Sequence, residues 1–317
     1  MIGTTWRREQ GLKDGLLREV LRENGFENVP LYGNETPEIA ETKKRTYAFG
    51  ADRTGPVNPE QRAVTDPAAM AEEVKEMARG FGAEIIGIAR VEPHMIDMGV
   101  DCPYEFVICI GVHESYDRVV EGPRSVEAET YSTYFDCARI ATELGQWVRE
   151  QGWDALAHHN GGTYVQAIPA MYKAGFGEMG KHGSLINRDY GASFRPSFVT
   201  TNLPMQLDEP DVFGVQDYCL KCQLCHNNCP GEAIPNDYIV TEGHRRWLTD
   251  MEKCYPYSRL VPDYCHICVD VCPYVHKANG DPVKKDLYKQ YMGVRKKVGY
   301  RTPAWWPDDP PEALREG

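Results

Sequence analysis

The feature that most constrains this chain is a run of four cysteines closed by a proline. The run reads Cys219-Leu-Lys-Cys222-Gln-Leu-Cys225-His-Asn-Asn-Cys229-Pro230, a spacing of C-x2-C-x2-C-x3-C-P. In two-cluster ferredoxins, the first three thiolates of such a run hold one [4Fe–4S] cubane, and the fourth reaches across to the other. The run therefore predicts an iron–sulfur module with two cubanes.

A second, incomplete run supplies the remaining ligands. It reads Cys265-His-Ile-Cys268-Val-Asp-Val-Cys272-Pro, and Pro262 stands where its first cysteine would be. Cys254, eleven residues before Cys265, is the nearby thiol that can fill this vacancy. The crossed ligation then assigns Cys219, Cys222, Cys225 and Cys272 to cluster one, and Cys229, Cys254, Cys265 and Cys268 to cluster two.

A pair of zinc ribbons is the alternative interpretation, because C-x2-C spacing also suits tetrahedral zinc. The third cysteine of the first run and the proline after each terminal cysteine favour iron–sulfur clusters. His226, His266 and His276 lie within one to four residues of module cysteines. Because eight thiols already complete two cubanes, we expect these histidines to be surface or hydrogen-bonding residues.

The composition of the whole chain is that of a globular protein in a reducing compartment. Hydrophobic residues make up 42% and charged residues 26% of the 317 residues, which is globular composition. Eight of the eleven cysteines lie between 219 and 272, and this clustering indicates metal binding rather than disulfides. A net charge of −12 does not favour a nucleic-acid surface, so no DNA partner is expected.

The sequence also bears on location. No apolar stretch approaches the ~20 residues that a membrane-spanning helix needs. Arg7-Arg8 could begin a twin-arginine signal, but the following segment, 9–24, is charged and has no apolar core. We therefore expect a cytoplasmic protein without a membrane partner.

The chain divides into four predicted segments. Residues 1–65 are polar and interrupted by prolines, and we expect a helix at about 12–24 followed by an extended arm. A domain of mixed helices and strands follows over 66–210, and the cysteine module takes 211–285. The tail, 286–317, contains Trp305-Trp306-Pro307.

The segment 66–210 alternates between helical and strand patterns. Asp66-Pro67 is an N-cap followed by proline at the first helical position, and it begins an apolar helical stripe that ends near Gly82. Apolar runs of strand length lie at 84–88, 106–110 and 194–203. Two further helices are predicted, one over about 126–151 and one that ends near Ala174. Together these elements indicate an α/β or α+β domain.

Three stretches of this domain resemble the reductive dehalogenases. They are residues 66–90, Gly175-Phe-Gly-Glu-Met-Gly-Lys-His-Gly-Ser-Leu-Ile186 and Thr201-Asn-Leu-Pro204. The epoxyqueuosine reductases share the second half of this pattern and the cysteine arrangement, including an isolated upstream thiol like Cys254. The chain is thus identified as a member of this superfamily, nearer to the reductive dehalogenases.

The resemblance implies an α+β fold with two modules. Residues 66–210 would form a nitroreductase-like, cobalamin-binding α/β domain, and residues 211–285 a bacterial ferredoxin-like domain with two [4Fe–4S] clusters. The implied cobalamin is base-off, with no protein side chain as its lower ligand. In agreement, the sequence contains no Asp-x-His-x-x-Gly, the motif that supplies a histidine to cobalt in other corrinoid proteins.

The resemblance to the dehalogenases also implies catalytic residues. Tyr134 on the long helix looks like the family's proton donor, with Tyr131 as an alternative one turn earlier, and Asn160 looks like the family's asparagine. Lys181 is expected to stabilise the phenolate that proton donation leaves. Cofactor contacts are expected at Lys181, His182, Gly183 and Arg195.

Two positions depart from the patterns of the superfamily. The epoxyqueuosine reductases place a catalytic aspartate after the long helix, where this chain has His158-His-Asn-Gly-Gly162. The missing acid favours the dehalogenase side. Dehalogenases commonly carry Gly-Pro-Arg-x-Arg where this chain has Gly191-Ala-Ser-Phe-Arg195, so Ser193 stands in place of the first arginine.

These features predict a cobalamin-dependent iron–sulfur reductase with a small-molecule substrate, an organohalide in the dehalogenase interpretation. No flavin or nicotinamide fingerprint is visible, so we expect a separate ferredoxin, flavodoxin or reductase subunit as electron donor. Two alternatives stay open. One is an epoxyqueuosine-type reductase that acts on tRNA, and the other is a non-catalytic electron-transfer subunit.

Overall fold

A computed structural model of the chain describes residues 36–274, apart from 116–117, 119–122, 242–243, 252 and 255–264. The helix expected over 12–24, the tail from 286 onwards and His276 lie outside the described residues. No helix within the described part combines the length and the apolar character that crossing a bilayer requires.

The helices named below are α1 (Pro37–Ala48), α2 (Pro67–Gly80), α3 (Pro123–Glu150), α4 (Ala167–Lys173), α5 (Val215–Cys222), α6 (Leu224–Asn227) and α7 (Ile267–Asp270). The strands are β1 (Ile85–Arg90), β2 (Phe106–His113), β3 (Ala155–His158), β4 (Glu178–Met179), β5 (Leu185–Ile186), β6 (Phe194–Thr201), β7 (Ile239–Thr241) and β8 (His244–Arg246). The predicted helix from Asp66, the long helix and the three predicted strands correspond to α2, α3, β1, β2 and β6.

Four strands form an antiparallel sheet in the order β1-β2-β6-β3. Side chains alternate between its two faces. In β2, Ile108 and Ile110 join a core with α2 and α3, whereas Val107 and Cys109 join a core with α4 on the opposite face. Because both faces are covered, the strands read as continuous apolar runs rather than alternating ones.

The segment expected to be an extended arm contains a helix, α1. The Thr36 hydroxyl oxygen accepts the Ile39 N–H at 3.2 Å, and Pro37 takes the first helical position. The expectation of an extended chain is therefore wrong over 37–48. Of the buried positions Ile39, Lys43 and Thr46, only the first is apolar, so this helix carries no apolar stripe that a sequence pattern would reveal.

Residues 53–65 have no regular secondary structure and cross the end of α3. The Asn58 N–H donates to the Arg149 carbonyl at 3.0 Å, and the Arg62 N–H donates to the Gln151 carbonyl at 2.9 Å. Gly152 permits this crossing, because its φ is +80° and a Cβ there would lie 2.4 Å from the Gln61 Cα.

Candidate active site and cysteine module

Four of the eight module cysteines border one cavity. Cys219 and Cys222 lie on α5, Cys225 on α6, and Cys272 just after α7. These are the four thiols assigned to cluster one, so the fold brings Cys272 back to the first run. Burial is the main cause that raises the pKa of the Cys219 thiol, and it raises that of Cys225 to about 11. Buried thiolates need a metal or another positive charge, so this donor set fits a thiolate-ligated cubane.

The other four module cysteines lie close enough together for their thiols to affect one another's pKa. The pKa of Cys268 is raised by burial first, and then by the thiols of Cys254, Cys265, Cys225 and Cys229. Burial also raises the pKa of Cys265, with Cys229 adding to the effect. Apart from Cys225, these are the thiols assigned to cluster two. Among the described residues, no three His, Cys, Asp or Glu side chains converge as the ligands of a single ion do.

The glycine-rich loop folds into a hairpin, residues 175–186, which we call the glycine hairpin. Its β4 and β5 pair antiparallel, and Glu178 in β4 contacts the cysteine module. One carboxylate oxygen of Glu178 accepts the N–H groups of Phe213, Gly214 (2.6 Å) and Val215 (3.1 Å). The carboxylate thereby caps the start of α5, although burial raises its pKa. The sequence holds no signal for this contact, since the cap comes from a distant segment.

Lys181 of the glycine hairpin is buried against the cluster-one cavity. Its side chain is 1% exposed, and Nζ donates to Gln223 Oε1 at 2.8 Å and to the Asn236 carbonyl at 2.7 Å. Burial lowers its pKa, and the neighbouring thiols, Cys219 foremost, oppose that effect. The ammonium is therefore committed to the cysteine module. The expected partnership of Lys181 with Tyr134 is not what these contacts show.

His182 and Gly183 complete the turn beside this cavity. His182 Nδ1 accepts the Ser184 N–H at 3.2 Å, and burial, followed by the charge of His266, lowers the His182 pKa to about 4. The imidazole is thus neutral at pH 7 with its proton on Nε2, a buried atom without a hydrogen-bond partner among the described residues. Gly183 has φ +83°, and a Cβ there would lie 2.8 Å from Thr249 Oγ1.

Arg195 lies next to Tyr134. Its guanidinium carbon is 5.3 Å from the centroid of the Tyr134 ring, within the range of a cation–π contact. Tyr134 is half-buried on α3, whereas Tyr131 on the same helix is buried, with Lys43 Nζ 4.2 Å from its ring centroid. Tyr134 is therefore the tyrosine of the two that a ligand can reach.

Asn160 is exposed in the turn that follows β3. His158, the last residue of β3, pairs with Phe198 of β6, and β6 runs back from there to Arg195. The turn that carries Asn160 is therefore at the end of the sheet where Arg195 lies. Beside it, His159 Nδ1 accepts the Gly161 N–H at 2.9 Å.

Glu114 holds Arg195 in place, and sequence reasoning did not predict it. Its fully buried carboxylate accepts Arg195 Nε at 2.8 Å, the Thr130 hydroxyl at 2.7 Å and the Ser193 hydroxyl at 3.4 Å. Burial, the largest effect, raises the pKa of Glu114. The charges of Arg195 and His266, with the hydrogen bonds from Thr130 and Arg195, outweigh it and leave the pKa below its usual value. Ser193, the departure from the dehalogenase motif, is thus one of the donors to this carboxylate.

Glu114 also contacts the cysteine module through His266. Glu114 Oε2 lies 3.9 Å from His266 Nε2, and His266 Nδ1 lies 2.9 Å from Asp270 Oδ1. His226 Nδ1 lies 2.7 Å from the Ile234 carbonyl. His226 and His266 therefore have hydrogen-bonding partners, as the sequence predicted.

The chain is similar to two groups of known proteins. No protein-family model matches the chain. It is 27% identical over 299 residues to the tetrachloroethene reductive dehalogenase of Sulfurospirillum multivorans, which covers 77% of this chain and 58% of that protein. It is 28% identical over 195 residues to the epoxyqueuosine reductase of Synechocystis sp., with 53% of this chain and 62% of that protein covered. A solved catabolic reductive dehalogenase, in complex with 3-bromo-4-hydroxybenzoic acid, superposes with a TM-score of 0.73 and 24% identity over 82% of this chain and 41% of that one.

The fold of mixed helices and sheet is therefore that of a reductive dehalogenase, and the chain's homologues are oxidoreductases. The chain is a homologue of the reductive dehalogenases and the epoxyqueuosine reductases, and it is nearer to the reductive dehalogenases. The resemblance drawn from the sequence is confirmed. The chain spans 58% or less of the length of the curated dehalogenases it matches.

Proposed function

We propose that the chain is a cobalamin-dependent reductase that carries two [4Fe–4S] clusters and removes halogen from a small organohalide. Residues 66–210 would form its nitroreductase-like cobalamin domain, and residues 211–285 its ferredoxin-like domain. The contact of Arg195 with the half-buried ring of Tyr134 is the observation that carries the proposal. Homology to dehalogenases and the two cysteine groups support it.

The proposed reaction replaces a carbon-bound halogen by hydrogen and uses two electrons and one proton for each halide released. Cobalamin, when bound, would supply the electrons at its cobalt. The chain supplies the proton: the Tyr134 phenol donates it, and Arg195 stabilises the phenolate that remains. Asn160 orients the substrate at the same end of the sheet.

The donor set at this end of the sheet fits such a cofactor. Arg195 keeps 20% of its side chain exposed and offers a guanidinium group that suits the phosphate of a corrinoid. No protein side chain is assigned to the cobalt. An external ferredoxin, flavodoxin or reductase subunit would reduce the clusters.

Anaerobic reconstitution with iron, sulfide and a cobalamin tests the proposal. We expect a corrinoid absorption band that stays with the protein through gel filtration, and halide release from brominated hydroxybenzoates in the presence of a reduced viologen. Stoichiometric zinc with little iron would refute the clusters. Iron without any retained cobalamin would leave only an electron-transfer role.

Homology to the epoxyqueuosine reductases supports a second candidate, reduction of a modified tRNA. Against this candidate, the turn after β3 presents Asn160 and the buried His159 where those enzymes carry an aspartate. Binding of an epoxyqueuosine-containing tRNA stem loop, with turnover by the reconstituted protein, would favour this candidate over dehalogenation.

A further inference from the structure

A buried cation lies at the cavity of cluster one. Lys181 borders this cavity together with Cys219, Cys222, Cys225 and Cys272. Both hydrogen-bond acceptors of its ammonium, Gln223 Oε1 and the Asn236 carbonyl, are neutral oxygens. An ammonium taken out of water is costly unless negative charge lies nearby. Thiols of cluster one and Asp237 favour the charged lysine, and the centroid of the Trp247 ring lies 5.5 Å from Nζ.

The same turn brings hydrogen-bond donors to this cavity. The backbone N–H of Lys181 opposes the rise in pKa that burial causes in the Cys219 thiol. His182, neutral and carrying its proton on the unpartnered Nε2, borders the same space. The reduction potential of an iron–sulfur cluster depends on nearby charge, on hydrogen bonds to its sulfurs and on solvent exposure. The glycine hairpin therefore contributes a charge and a hydrogen-bond donor next to this cavity.

We propose that Lys181 is the counter-charge of cluster one and sets its reduction potential, instead of binding the corrinoid or serving Tyr134. This inference rests on the proposed function, because it requires a cubane at the four thiols. A cubane held by four thiolates is negatively charged and becomes more so on reduction. A cation in a water-poor surrounding therefore favours the reduced state and raises the potential.

A redox titration of the reconstituted protein, followed by electron paramagnetic resonance, tests the proposal. In Lys181→Gln, we expect one of the two reductive waves to move to lower potential while the other stays. The equilibrium constant for reduction should fall by about tenfold, which is about 59 mV for one electron. In Lys181→Arg the charge is kept, and the wave should stay close to its original potential.

Lys221 provides a matched control. It lies between Cys219 and Cys222, but its side chain is exposed, so water and salt screen its charge. Lys221→Gln removes the same charge and should leave both waves in place. If it moves the wave as far as Lys181→Gln does, the effect is one of net charge and the proposal is wrong.

A second variant tests the role of Lys181 if Lys181→Gln does not fold. Gln223→Glu keeps an acceptor for Nζ, adds a carboxylate beside the ammonium, and should lower the same wave. Unmoved waves in Gln223→Glu, or in a folded Lys181→Gln, would overturn the role of Lys181. A wild-type protein that takes up no iron would instead refute the proposed function, so the two failures are distinguishable.

Discussion

The guanidinium of Arg195 lies 5.3 Å from the centroid of the Tyr134 ring. Arg195 extends from β6 and Tyr134 from α3, and the buried carboxylate of Glu114 fixes the guanidinium by accepting its Nε. The sheet thus places a cation beside the Tyr134 ring. The ammonium of Lys181 is left to the cysteine module.

The first prediction concerns proton donation. Tyr134→Phe removes the phenol next to Arg195, and we expect the rate of halide release to fall by about 10²-fold or more, the usual contribution of a general acid. Cluster and cobalamin content should stay unchanged. Tyr131→Phe, one turn away and buried, is the control and should remain within a few-fold of wild type. The opposite ranking of the two variants would assign the donor to Tyr131.

Stability should depend strongly on Glu114. Glu114→Gln leaves the Arg195 guanidinium without its buried counter-ion, which costs about 3 kcal/mol in the free energy of unfolding. Glu105→Gln is the matched control, because Glu105 also pairs with an arginine, Arg90, but both side chains are about half exposed. Exposed pairs contribute under about 1 kcal/mol. Equal losses in urea unfolding of the two variants would contradict the buried-pair interpretation.

A pH effect follows from His159. Burial, then the charge of Arg53, lowers its pKa to about 4, and its side chain is 3% exposed. In the unfolded chain this imidazole takes up a proton below about pH 6.5, whereas in the folded chain it stays neutral. Stability is therefore lost as the pH falls below that value.

The comparison of wild type with His159→Asn isolates this effect. Between pH 7 and pH 5, the free energy of unfolding should drop by about 2 kcal/mol more in wild type than in the variant. Urea unfolding at both pH values measures the difference. An identical pH dependence in the two proteins would mean that His159 takes up its proton equally in the folded and the unfolded chain.

Iron content tests the assignment of Cys254. Cys254→Ser should destroy cluster two and leave about half of the iron after reconstitution, because each cubane needs its four thiolates. Cys102→Ser removes a half-buried thiol outside the cysteine module, and this variant should retain all of the iron. Full iron in Cys254→Ser would require a different eighth ligand.

Local elements of the fold were predictable because their signals are local. Asp66 caps α2 by accepting the N–H groups of Ala68 and Ala69 at 3.0 and 3.1 Å, within three residues of itself. α1 was missed although Thr36 and Pro37 form the same kind of start, since α1 packs on α3 with a largely polar face. Glu178 and Glu114 left no sequence signal, because the donors to Glu178 are 35 to 37 residues away along the chain and those to Glu114 are 16 to 81 residues away.

The sequence by itself determined the spacing of the cysteines, the extents of the principal helices and strands, and the kinship with dehalogenases. Each depends on residue types a few positions apart, where backbone geometry leaves few choices. Only the tertiary structure decided that Arg195, and not Lys181, accompanies Tyr134, and that Glu114 joins this pair to His266. Those contacts arise from the sheet register and from the docking of the glycine hairpin on α5, which bring together side chains far apart in the chain.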